Sequence, residues 1–164
     1  MKNEYQIEEA SEKDFSQIKD LLVDLQKYII EIDKFNLNIL SVDYREKYFD
    51  FMMSDCRNNE GKVFVYKSGE TVIGLVAGFV QKYDSRDKLD YACPKKGIVA
   101  ELIVHKESRA NGIGSALLDQ IEKYFKSINC KFVQFDVFAY NENAKRFYGK
   151  KGYEDRIVTM FKKI

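Results

Sequence analysis

Two short stretches of this chain combine residue types that hold anions and move protons. The first runs from Val104 through Arg109, Ala110, Asn111, Gly112, Ile113, Gly114 and Ser115. A β-branched strand ends there, a polar turn follows, and two glycines sit where a helix begins. Glycine lets a ligand approach the backbone closely. The free N–H groups and positive dipole end of a first helical turn favour phosphate oxygens. Arg109 adds charge and a forked set of donors. Taken alone, the same glycines also serve a tight strand-to-helix turn.

The second stretch, Asn141 to Tyr153, opens another predicted helix. Asn141 stands at its start, where an amide side chain serves either the backbone or a ligand. Ala144 and Tyr148 are four residues apart and share a face, and Gly152 suits the helix end. Tyr148 carries a phenol, either a general acid or a ring packed under the sheet. Glu101 is a carboxylate inside an otherwise apolar strand. Desolvation there raises its pKa toward that of a useful base, and a structural role beside a neighbouring backbone is the competing reading. His105, the single histidine, falls in a charged turn and reads as a solvated surface residue.

The elements that position these groups follow from periodicity. Tyr5–Glu9 alternates as a strand, and Ser11 with Asp14 resembles a capping box. Phe15, Ile18, Leu22, Leu25, Ile29 and Ile32 recur at helical spacing. A second helix is predicted over 44–56, with Tyr48, Phe51 and Met52 inward. Val63–Lys67 and Thr71–Lys82 form a hairpin through Gly69. The polar run 84–96 reads as a loop and Gly97–Val104 as a strand. Then follow a helix over 112–128, a strand over 131–138, a helix over 141–151 and a last strand over 156–162. This order predicts a single mixed α/β domain over 1–164, a central, mostly antiparallel sheet flanked by about four helices.

The two stretches together resemble the GNAT superfamily of acetyl-coenzyme A-dependent N-acetyltransferases. Arg109, Gly112 and Gly114 match its [Q/R]xxGx[G/A] motif. Asn141, Ala144, Tyr148, Gly152 and Tyr153 match its NxxAxxxYxxxG[FY] pattern, one helix and one strand later. The resemblance implies that backbone from Arg109 to Ser115 holds the coenzyme A pyrophosphate. It implies that the pantetheine arm lies beside Ile103 and Val104, and that Asn141, Ala144 and Tyr148 meet it, with Tyr148 at the thioester sulfur. The acceptor amine then attacks the acetyl carbon directly. Several members carry an acid one residue before Glu101, where this chain has Ala100, so Glu101, water or another group is left as the base.

The resemblance points first to a small-molecule primary amine, such as a polyamine, amino sugar or amino acid. A protein N-terminus or lysine is the alternative acceptor, and a coenzyme A-binding sensor without turnover is the alternative of another class. Acceptor choice is expected in 33–43 and 84–96, where Asp84, Asp87 and Asp90 suit a cation or form a solvated loop. Relatives imply a homodimer.

Composition excludes several other classes. Net charge is +1, from 27 basic and 26 acidic residues, with no long basic run, which argues against a general nucleic-acid binder. One histidine and three scattered cysteines, Cys56, Cys93 and Cys130, supply neither a zinc set nor a disulfide framework. Gly69 and Gly74 have phosphate-loop spacing but continue as Leu75-Val76, so they belong to the hairpin. No leader or membrane-length apolar run is visible, and a reducing, cytoplasmic setting is expected.

Overall fold

The chain enters its first helix through Ser11, whose backbone N–H and hydroxyl both donate to the Asp14 carboxylate at 2.9 Å. The computed structural model describes residues 5–164. Strand β1 spans Tyr5–Glu9, and helices α1 and α2 span Phe15–Ile32 and Tyr44–Asn58. Strands β2 (Lys62–Ser68) and β3 (Thr71–Val80) form the expected hairpin, with Gly69 at φ +60° in its turn. A short helix α3 (Asp87–Asp90) precedes β4 (Lys96–Val104). Helix α4 (Ile113–Ser127), strand β5 (Phe132–Gln134) and helix α5 (Glu142–Lys150) follow.

The sheet order is β1-β2-β3-β4-β5. The first four strands are antiparallel neighbours, and β5 joins β4 in parallel. That mixed, mostly antiparallel α/β sheet agrees with the expected fold class. The α1/α2 side is filled by Ile18, Leu22, Phe49, Met52, Val65 and Leu75. On the other side, Leu117, Leu118, Ile121 and Phe125 of α4 pack on Phe64, Val76 and Val99. Burying a side chain of this kind contributes about 1.5–3 kcal/mol, so α4, and the turn at its start, are held firmly to the sheet. Glycine permits the closest approach. A Cβ on Gly97 would come within 2.5 Å of the Phe125 ring.

Four expectations are corrected. In α2, the inward stripe is Phe49, Met52 and Cys56, at helical spacings of three and four. Phe51 lies about 200° round the helix from Phe49, at about 100° per residue, and is 68% exposed. Tyr48 sits at the margin of that stripe. The 84–96 run is not all loop, because Asp84 accepts N–H groups from Arg86 and Asp87 at 2.7 and 2.9 Å and starts α3. That use of Asp84 also weakens its claim as a docking charge for a cation.

Strand β5 covers Phe132–Gln134 rather than 131–138, since its ladder with β4 stops at Ile98↔Gln134. The last strand, expected over 156–162, does not form. No backbone hydrogen bond reaches it among the described residues, and Ile157, Val158, Met160 and Phe161 are exposed. β propensity expresses itself only where a neighbouring strand offers a ladder.

Candidate active site

The end of β4 leaves its neighbour. The β4–β5 ladder covers Lys96–Ile98, and β4 then runs on to Val104 without β5 beside it. A cleft of about 450 Å³ opens between α1 and this strand end, lined by Leu25, Tyr28, Glu31, Ile103, Val104 and Arg109. That volume is in the range of small-ligand sites. Ile103 turns its side chain into the core, whereas Val104 packs toward α4.

Beyond Val104 the chain makes a 3-10 turn at Lys106–Ser108 and reaches α4 through Ala110 (φ +64°) and Gly112 (φ +78°). Among the described residues, the backbone N–H groups from Ala110 through Ser115 have no protein acceptor. Gly112 caps the helix in the left-handed region, which costs other residues roughly 1–2 kcal/mol, and a Cβ there would meet nothing within 4 Å. Gly114 is different, since a Cβ would touch Val104 at an ordinary 3.6 Å. The result is an exposed run of donors at a helix N-terminus, suited to phosphate oxygens.

Arg109 is fixed beside this run. Its Nε donates to the Val104 carbonyl at 3.1 Å, and its guanidinium lies 5.6 Å from the centre of the Tyr28 ring. Tyr28 in turn donates its hydroxyl to Asn141 Oδ1 at 3.4 Å. Asn141 Oδ1 also accepts the Ala144 N–H at 3.2 Å, an N-cap on α5. Asn141 thus caps α5, and a ligand contact by the same side chain is compatible with that role. Tyr28 thus links the two motif stretches through α1.

Glu101 is 7% exposed on β4, facing α2. Burial pushes its carboxyl up to about 7, and the hydroxyl of Tyr48, donated to Oε1, opposes that rise. Tyr44 stacks on Tyr48 with ring centres 4.7 Å apart. Tyr148 packs its ring on Phe135 at 3.9 Å. Burial first, and the Glu101 charge second, raise its phenol to about 12. A neutral phenol and a carboxyl poised near neutrality therefore stand within electrostatic reach of each other. His105 is exposed, as expected of a surface residue. No group of three or more His, Cys, Asp or Glu capable of holding a metal occurs among the described residues.

The pattern of the Acetyltransferase (GNAT) family matches residues 26–153, more than half of the chain. This chain belongs to that family. The GNAT chain is also 44% identical over 61 residues to an uncharacterized N-acetyltransferase of Methanocaldococcus jannaschii; the match covers 37% of this chain and 39% of that relative's length. Its fold resembles that of a mutant Bacillus halodurans protein, with TM-score 0.83 and 17% identity over 97% of this chain and 99% of the other. It also resembles the glucosamine-6-phosphate N-acetyltransferase of Arabidopsis thaliana, with TM-score 0.64 and 17% identity over 97% of each chain. At such identities these structures speak for the fold alone.

In this fold Ile103, Val104 and Arg109 line one cleft together with Tyr28, whose hydroxyl reaches Asn141. Glu101 faces α2 from β4, and Tyr148 of α5, packed on Phe135, is near enough to feel its charge. Sequence reading missed Tyr28 and Tyr44 and gave Tyr48 only a packing role. Tyr44 and Tyr48 are spaced i, i+4 on α2, a sign that they share a face, but nothing local says which residue that face meets.

Proposed function

We propose that this GNAT chain moves an acetyl group from acetyl-coenzyme A to a small-molecule primary amine. The observation that carries this reading is the nearness of the buried Glu101 to the Tyr148 phenol, in a chain whose α4 start leaves the N–H groups of Ala110 to Ser115 without partners among the described residues. Those N–H groups, with Arg109, suit the pyrophosphate, and Ile103 and Val104 would flank the pantetheine arm. Asn141 and Ala144 would border it from the start of α5.

An alkyl ammonium has a pKa of about 10.4 and must lose a proton before it attacks. Glu101, with its carboxyl raised to about 7, would take that proton directly or through water. The amine nitrogen then bonds to the acetyl carbon, the carbon–sulfur bond breaks, and the thiolate takes a proton from Tyr148. A phenol held near 12 remains protonated at neutral pH and is available as that donor.

The reading places the enzyme in the cytoplasm and, with its exposed Ile157, Val158, Met160 and Phe161, in a homodimer whose second copy covers them. Calorimetry with acetyl-coenzyme A, followed by an amine screen for thiol release, tests the activity. Micromolar binding and amine-dependent release are expected. A folded protein that binds no acetyl-coenzyme A would refute it.

A further inference from the structure

The geometry points to Tyr48 as the positioning residue of the base: from α2, 53 residues away in sequence, its hydroxyl donates to Glu101 Oε1 on β4 and holds the carboxylate in one orientation. This rests on Glu101 being the base in the reaction proposed above. No residue near either sequence motif performs this task, and α2 lies outside both.

The surroundings of Glu101 leave the task to one bond. Glu101 is 7% exposed, and the ionisable groups that face it are Tyr44 and Tyr48 from α2 and Tyr148 from α5. Among the described residues no cation from α1, β3, β5 or α4 pairs with it. Among the described residues, Tyr48 is the single side chain that hydrogen-bonds its carboxylate.

Tyr44 makes the donor rigid. Its ring stacks on Tyr48 at 4.7 Å and 12°, one helical turn earlier. A hydrogen bond to the ionised form favours that form, so the Tyr48 hydroxyl works against desolvation. Without it, burial alone sets the proton affinity of Glu101, and a larger fraction of the carboxyl is protonated at neutral pH.

The test compares Tyr48→Phe, Glu101→Gln and the double variant with the parent chain. Carboxyl-carbon NMR follows the Glu101 titration in the parent and in Tyr48→Phe, with no substrate needed. Thiol release from acetyl-coenzyme A, with spermidine as the probe amine, is followed from pH 6 to 10. In Tyr48→Phe the Glu101 midpoint is expected to rise by about one unit, which lowers the rate about tenfold below the midpoint and lets it recover at high pH.

An unmoved Glu101 midpoint in Tyr48→Phe overturns the inference. So does a rate loss that is equal at every pH and tracks a lower Tm, which is the signature of packing alone. Should the midpoint move while Glu101→Gln keeps full thiol release, the positioning of Glu101 stands and its role as base fails. In the double variant the Tyr48→Phe change should no longer alter the pH profile.

Discussion

Glu101 stands opposite Ala77 in the β3–β4 ladder, and the next pair along is Gly78 with Val99, which leaves Ala100 without a partner. One extra residue in a strand reverses the faces of everything beyond it. Val99 accordingly packs on the α4 side, whereas Ile103 packs on the α1/α2 side, and Glu101 turns with it toward Tyr48. The bulge therefore carries a carboxylate from a face covered by α4 to the face where α2 supplies a donor.

The cost of that burial is measurable as pH-dependent stability. The Glu101 carboxyl is raised from 4.5 to about 7 by desolvation. Over that window the native state keeps a proton that the unfolded chain releases, so stability falls as pH rises, by about 3 kcal/mol in all. Glu101→Gln should remove that slope and be the more stable protein at pH 8. Urea midpoints at pH 5 and pH 8 check this, and equal slopes in both proteins would contradict a desolvated Glu101.

Tyr148→Phe keeps the ring against Phe135 and removes only the hydroxyl. Turnover should drop at least tenfold with acetyl-coenzyme A affinity nearly unchanged. Steady-state kinetics and calorimetry on the same preparation separate the two. An unchanged kcat would remove Tyr148 from the chemistry.

Gly112→Glu puts a carboxylate on the exposed face of the N–H run and forces a left-handed φ of +78° on a side chain. Binding of acetyl-coenzyme A should be lost, while Gly114→Ala, whose Cβ finds ordinary contacts, should retain most of it. Titration calorimetry distinguishes the pair. Equal affinity in Gly112→Glu would mean that phosphate binds elsewhere.

Gly97→Ala tests the seat of α4. The added Cβ would lie 2.5 Å from the Phe125 ring, which is 1% exposed and has no room to retreat. Overpacking of this kind costs about 1–3 kcal/mol. Denaturant unfolding should show that loss, with acetyl-coenzyme A binding weakened as the start of α4 shifts. A midpoint equal to the parent would show that Phe125 repacks freely.

What the sequence determined by itself was local. The 3.6-residue spacing of apolar residues over 15–32 and 113–127 identified α1 and α4, because each helical bond closes within four residues. Gly112 and Asn141 announced the starts of α4 and α5 for the same reason. The two motifs pointed to the family without any knowledge of the sheet. Tertiary structure decided what depends on distant chain. Phe51 faces solvent because of where α2 lies on the sheet. The bulge at Ala100, the short ladder of β5 and the unpaired segment 156–162 depend on which backbones meet edge to edge. The proton affinity of Glu101 depends on burial and on a hydroxyl 53 residues away, and no spacing along the chain encodes either.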